Sequence, residues 1–132
     1  MAYDRRVLII EDTPSTIDLL EQIVMRAGYT PVLARRGGEG LRILRQEGVD
    51  LVLLDLIMRD MDGWTFLETV RADRRFARLP VFIISARHPR EDPKRMETHG
   101  GMFQAYFVKP FDVEELVTKL AEMLSLDSGQ EV

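Results

Sequence analysis

The sequence predicts an α/β fold, a parallel β-sheet covered by helices on both faces. Five short, continuous apolar runs recur along the chain, as in strands buried on two faces rather than one. Stretches with helical spacing separate them, and a strand–helix–strand order implies right-handed crossovers and parallel pairing. The 132 residues suit one domain, large enough to bury a core without disulfides or metals.

The first run, Val7–Ile10, is a strand. Thr13 follows as the N-cap of a helix with Pro14 at its first position. Ile17, Leu20, Val24 and Ala27 form its inner stripe, and Gly28 ends it. Pro31–Ala34 is a second short strand, its proline tolerated at the start. Gly37 to Gly48 is a helix with Leu41 and Leu44 turned inward. Leu51–Leu54, the most apolar run, is the third and central strand. Gly63 to Arg71 is a helix burying Phe66, Leu67 and Val70.

Pro80 opens the fourth strand, Val81–Ile84, and Ala105–Val108 is the fifth. Between them, residues 87–101 carry Pro89, Pro93 and two glycines, and a helix is expected only from Pro93 to about His99. Asp112 caps the last helix, with Glu115 completing a capping box. Val113, Leu116, Val117, Leu120 and Leu124 are its apolar stripe. The core is expected to span about 5–125, with a frayed tail over 126–132. No repeat or linker divides the chain, so a single domain is expected.

Charge and composition exclude several classes. The 18 basic and 22 acidic residues give a net charge of -4, which leaves no basic footprint for direct nucleic-acid binding. The pairs Arg5–Arg6, Arg35–Arg36 and Arg74–Arg75 read as solvated surface, as do His88 and His99. Without cysteine there is no thiolate metal site. No apolar run approaches the roughly 20 residues of a membrane helix, and Val7–Ile10 is too short for a signal-peptide core. A cytoplasmic protein with no membrane association is expected. The glycine-rich stretch Arg36–Gly40 lacks the Gly-Lys-Ser/Thr of a P-loop and starts a helix instead.

In an open parallel sheet, ligands sit beyond the carboxyl ends of the strands. Glu11 and Asp12 follow the first strand, Asp55 the third, Ser85 the fourth, and Lys109 with Pro110 the fifth. Each alone has an ordinary explanation: a turn former, a helix-start acid, a surface lysine. Together they form a coherent set. Three convergent carboxylates repel one another and call for a cation. Mg²⁺, a hard ion that takes oxygen ligands, meets that need for Glu11, Asp12 and Asp55, and it is the metal that phosphoryl transfer uses. Asp55 is then the nucleophile, Lys109 a second positive charge, and Ser85 a hydroxyl donor to the phosphoryl group.

Nearly the whole chain resembles the receiver domains of two-component response regulators, chemotaxis receivers among them. The matching stretches are Val7–Asp12, Leu53–Met58 with Met61–Gly63, Ile83–Ala86 and Tyr106–Phe111. The resemblance implies a doubly wound five-stranded parallel sheet in the order 2-1-3-4-5, a flavodoxin-like arrangement. It implies Mg²⁺ bound by Glu11, Asp12, Asp55 and the backbone carbonyl of Ile57. Asp55 becomes the phosphoacceptor, with Ser85 and Lys109 as phosphoryl contacts and a cis bond before Pro110. Tyr106 matches the aromatic whose rotamer accompanies activation, or else is a half-buried strand aromatic.

The implied cycle runs from a sensor histidine kinase, phosphotransfer protein or small acyl phosphate to Asp55. Ser85 then moves toward the phosphoryl group, the loop after the fourth strand shifts, and Tyr106 fills the space, a population shift between existing states. The implied partners are that donor and a downstream protein target. A homodimer is compatible, although the segment from 87 to 104 departs from the family. There, Met102 and Phe103 either cover the core or offer an apolar patch. Ser85 stands where threonine is common, and Arg59 where proline is usual. At the two positions that govern water access in the family stand Ile57 and Arg87. Ile57 cannot orient a water and Arg87 can shield the phosphoryl group, so a long-lived phosphorylated form is expected.

Three other functions compete. An Asp-nucleophile phosphatase would need a second acid two residues after Asp55, where Ile57 stands. An FMN-binding flavodoxin would need a Ser/Thr/Gly-rich loop after the first strand, where Glu11 and Asp12 repel phosphate. A receiver-fold interaction module acting without phosphorylation would have no use for the acidic set.

Overall fold

A computed structural model describes residues 4–129. Five strands alternate with five α-helices: β1 (Arg6–Ile10), α1 (Pro14–Arg26), β2 (Thr30–Ala34), α2 (Gly37–Gln46), β3 (Leu51–Leu54), α3 (Gly63–Ala72), β4 (Val81–Ser85), α4 (Pro93–His99), β5 (Ala105–Val108) and α5 (Val113–Gly129). The sheet is parallel in the order β2-β1-β3-β4-β5, so the most apolar run, β3, is central. Among the described residues no helix is long and apolar enough to cross a membrane.

Strand periodicity divides the core into two layers. Val7, Ile9, Leu51, Leu53, Phe82 and Ile84 face one side, where Leu20, Ile23 and Val24 of α1 and Leu116, Leu120 and Leu124 of α5 cover them. Their chain neighbours Leu8, Ile10, Val52, Leu54, Val81 and Ile83 face the other, under Ile43 and Leu44 of α2 and Trp64, Phe66, Leu67 and Val70 of α3. Continuous apolar runs were therefore the correct signature of two-sided burial. In α2 the deeper residue is Ile43, with Leu41 only half-buried.

Two glycines have physical reasons. Gly28 ends α1 at φ +93°, a conformation that costs a side chain dearly. Gly63 begins α3 so close to the loop below that an added Cβ would lie 2.5 Å from Leu56 Cα and 2.9 Å from its carbonyl oxygen.

Several local expectations are corrected. Thr13 occupies the N-cap of α1, but its side chain makes no capping bond. Glu11 Oε1 instead accepts from the amides of Asp12 (3.2 Å) and Thr13 (3.1 Å), holding the chain just before the helix. At α5, Asp112 Oδ1 accepts from the amide of Glu115 at 3.2 Å. That helix continues to Gly129 instead of fraying from 126; residues 130–132 lie outside the described residues. Arg5 is buried, with its guanidinium 4.0 Å from Asp50, because it leads into an interior strand, its carbonyl accepting from the amide of Thr30 at the start of β2.

His99 is buried as well. Its ring packs 5.4 Å from that of Trp64, and its Nε2 lies 2.7 Å from Glu68 Oε2. Helical rotation from Pro93 brings His99 onto α3, which its polar neighbours in sequence do not reveal. The segment 100–103 is tied down too. Arg71 of α3 donates from Nε (2.9 Å) and Nη2 (2.7 Å) to the carbonyl of Met102, and Met102 and Phe103 pack on the core. Of the two readings of that pair, covering the core is the observed one.

Candidate functional site

Parallel pairing aligns the strand ends, and the chemistry collects on that rim. Beyond β1, Glu11 is 1% exposed; its amide continues the ladder by donating to the carbonyl of Ala34 at 3.1 Å. Beyond β3, the amide of Asp55 donates to the carbonyl of Ile10 at 3.1 Å. Its Oδ1 accepts from the amide of Ile57, also at 3.1 Å, which fixes the carboxylate plane. Asp12 stands half-exposed between them. One carboxylate oxygen from each of Glu11, Asp12 and Asp55 lies within 4.8 Å of the others.

Lys109 arrives from β5, its amide donating to the carbonyl of Ser85 at 2.8 Å. Its Nζ lies 2.8 Å from Glu11 Oε2 and 3.4 Å from Asp55 Oδ2. The peptide bond from Lys109 to Pro110 is cis. Asp12, Asp55, Ile57, Met58, Arg59, Ala86 and Lys109 line an open cleft of about 370 Å³. The carboxylates are thus buried enough to repel strongly and open enough to admit a small ion and a phosphoryl group.

The electrostatics follow from that placement. Desolvation pushes Asp55 up from 3.8 to about 6; the Ile57 amide and Lys109 oppose this, and the charge of Glu11 adds to it. Lys109 is partly desolvated, which alone would lower it, yet its bond to Glu11 and the charge of Asp55 hold it above the usual lysine range. The set is short of positive charge at its centre, and oxygen donors in this number suit a hard divalent cation.

Ser85 ends β4 but is fully buried beneath the cleft. Its Oγ accepts from the amide of Arg87 at 3.2 Å. The carbonyl of Arg87 in turn accepts from the hydroxyl of Tyr106 at 2.5 Å. Ser85, the Arg87 main chain and Tyr106 therefore form one hydrogen-bonded chain from the rim to the half-buried face of β5. Tyr106 also meets Phe103 edge-on at 5.9 Å. Ile57 is 57% exposed on the lip of the cleft, and the Arg87 guanidinium points to Asp92 at 3.7 Å.

Two contributors escaped the sequence reading. Asp60 accepts from the amides of Gly37 and Gly38, both at 2.9 Å, capping α2 from the loop after β3. Asp62 caps α3 through the amide of Trp64 at 2.9 Å. An acid preceding a helical stripe signals the second; nothing local signals the first, because donor and acceptor are 23 residues apart.

Known proteins agree with this architecture. The chain is 34% identical over 119 residues to the DNA-binding dual master transcriptional regulator RpaA of Synechocystis, covering 90% of this chain and 48% of that protein. It thus spans about half the length of the curated relatives it first matches. A CheY-like response regulator receiver domain protein from Methanospirillum hungatei superimposes with a TM-score of 0.82 at 26% identity, over 97% of this chain and 99% of that one. The receiver domain of a sensor histidine kinase from Pseudomonas aeruginosa, solved with magnesium in its active-site cleft, has the same fold: TM-score 0.81 at 24% identity, over 93% and 99% of the two chains. The response regulator receiver domain model matches residues 7–121, and with the strand order and the rim of carboxylates in place, this chain belongs to the receiver domain family of two-component signalling.

Proposed function

We propose that this receiver accepts a phosphoryl group on Asp55 in a Mg²⁺-dependent reaction and thereby changes the surface it offers a downstream protein target. The observation that carries this is the convergence of three carboxylates within 4.8 Å around an ammonium 3.4 Å from the acceptor. A cluster so costly to assemble has a use when a cation and an anionic substrate complete it. Glu11, Asp12, Asp55 and the Ile57 carbonyl would hold Mg²⁺, which supplies charge neutralisation on the phosphoryl oxygens. The donor is a phosphohistidine of a sensor kinase or phosphotransfer protein, or a small acyl phosphate.

Asp55 supplies the oxygen that attacks phosphorus. The new bond is O–P, the bond from phosphorus to the donor breaks, and the donor leaves with that electron pair. The Ile57 amide orients the carboxylate, leaving Oδ2 on the side of Lys109. Lys109 then shares its charge with the transferred oxygens. To donate its hydroxyl proton to the phosphoryl group, the buried Ser85 would move toward the cleft and away from the Arg87 amide. That releases the Arg87 main chain from one side, and Tyr106 holds the other. The Ser85–Arg87–Tyr106 chain supports Tyr106 as the switch residue, because motion at Ser85 reaches it through two hydrogen bonds.

The test is intact-mass spectrometry after incubation with acetyl phosphate. A gain of one phosphoryl group with Mg²⁺ and none with a chelator is expected. No gain under either condition would favour an interaction module that works unphosphorylated.

A further inference from the structure

A second cation besides Lys109 reaches the acidic cluster. Arg59 Nε lies 3.5 Å from Asp12 Oδ2, and Arg59 lines the same cleft as Asp12, Asp55 and Lys109. The placement is anchored on both sides. Before Arg59, the Ile57 amide is held by Asp55 at 3.1 Å. After it, Asp60 grips the amides of Gly37 and Gly38 at 2.9 Å. Those bonds, that to Gly38 first, hold the Asp60 carboxyl below its usual range. The backbone is thus fixed with Arg59 turned over the rim, toward the most exposed acid of the three.

The charges divide between the two cations. Lys109 serves Glu11 and Asp55, and Arg59 serves Asp12. We infer that Arg59 is a resident counter-ion of the cleft, competing with a divalent metal for Asp12 and so setting how tightly the metal binds. The inference rests on the metal-dependent reading above. An ion coordinated by Asp12 and a guanidinium at 3.5 Å repel each other, so metal entry has to displace the arginine or bind against it. The Arg59 side chain is 77% exposed, which makes the competition modest, about two- to fivefold in affinity.

Isothermal titration of Mg²⁺ into the full chain at low ionic strength tests this. Arg59→Gln is expected to bind about two- to fivefold more tightly than wild type, with the gain shrinking as salt is added. Arg42→Gln is the control. Arg42 lies on α2, outside the cleft, where it bonds Gln46, so the change removes the same charge elsewhere and should leave affinity at the wild-type value. Equal affinity of Arg59→Gln and wild type would overturn the inference, as would an equal gain in Arg42→Gln. Absence of Mg²⁺ binding in every variant would instead overturn the metal-dependent reading itself.

Discussion

The ammonium of Lys109 lies 2.8 Å from Glu11 Oε2, a carboxylate that is almost wholly shielded from water. Ninety-eight residues separate the two, and only the parallel register of β1 with β5 through β3 and β4 brings them together. The pair joins the stability of the rim to its chemistry, since the same ammonium faces Asp55.

Replacing Lys109 with Met is expected to destabilise the protein by about 2–3 kcal/mol, because removing one partner leaves a buried charge uncompensated. Urea denaturation measures this. The variant should also accept phosphoryl groups poorly, which separates it from substitutions that only loosen the core.

Asp55 makes the opposite contribution. Its carboxyl is raised from 3.8 to about 6 in the folded protein, so the folded state holds that proton more tightly than the unfolded chain. Its stabilising contribution is present in full below about pH 4 and is lost as pH rises to about 6. At pH 7 without divalent cations, Asp55→Asn should therefore raise unfolding stability, by an amount on the order of 1–3 kcal/mol. Thermal melts across pH 4 to pH 7 should show the variant's advantage growing with pH.

Gly63→Ala should be severe for a surface-adjacent helix start. The added carbon meets backbone atoms of Leu56, which cannot swing aside as a side chain would. A loss of about 3 kcal/mol is expected, measured by denaturant unfolding, and Mg²⁺ affinity should fall with it because Leu56 directly follows Asp55.

Tyr106→Phe removes only the hydroxyl that holds the Arg87 carbonyl. The aromatic packing remains, so the expected cost is about 1 kcal/mol. Amide exchange should accelerate locally, in residues 86–92, while the strands keep their protection.

On the proposed function, the lip of the cleft governs how water reaches a phosphoryl group on Asp55. Ile57 is exposed there and offers a water no hydrogen bond. Ile57→Asn supplies an amide and is expected to speed phosphate release after acyl-phosphate labelling. Rapid release that the substitution leaves unchanged would rule out a long-lived phosphorylated form protected by Ile57.

Much of this architecture was legible because the signals were strong and local. Val7–Ile10 and Leu51–Leu54 are apolar at every position, which only two-sided burial explains, and the acids immediately after them fall on the strand ends by geometry. Pro93 and the glycines after His99 bounded α4 correctly despite its irregular surroundings. What stayed hidden depends on distant partners. Arg5 and His99 look like surface residues until Asp50 and Glu68 are placed beside them, and Asp60 looks like a loop acid until α2 is seen to start at its carboxylate. The burial of Ser85 was equally invisible, since a hydroxyl at a strand end fits an exposed or an enclosed position.

The assignment of Asp55 is tested most directly by labelling wild type and Asp55→Asn side by side with acetyl phosphate and Mg²⁺, then treating both with hydroxylamine, which cleaves acyl phosphates. One hydroxylamine-labile phosphoryl group is expected on the wild type and none on the variant. Equal uptake by the two proteins, or a label that resists hydroxylamine, would contradict it.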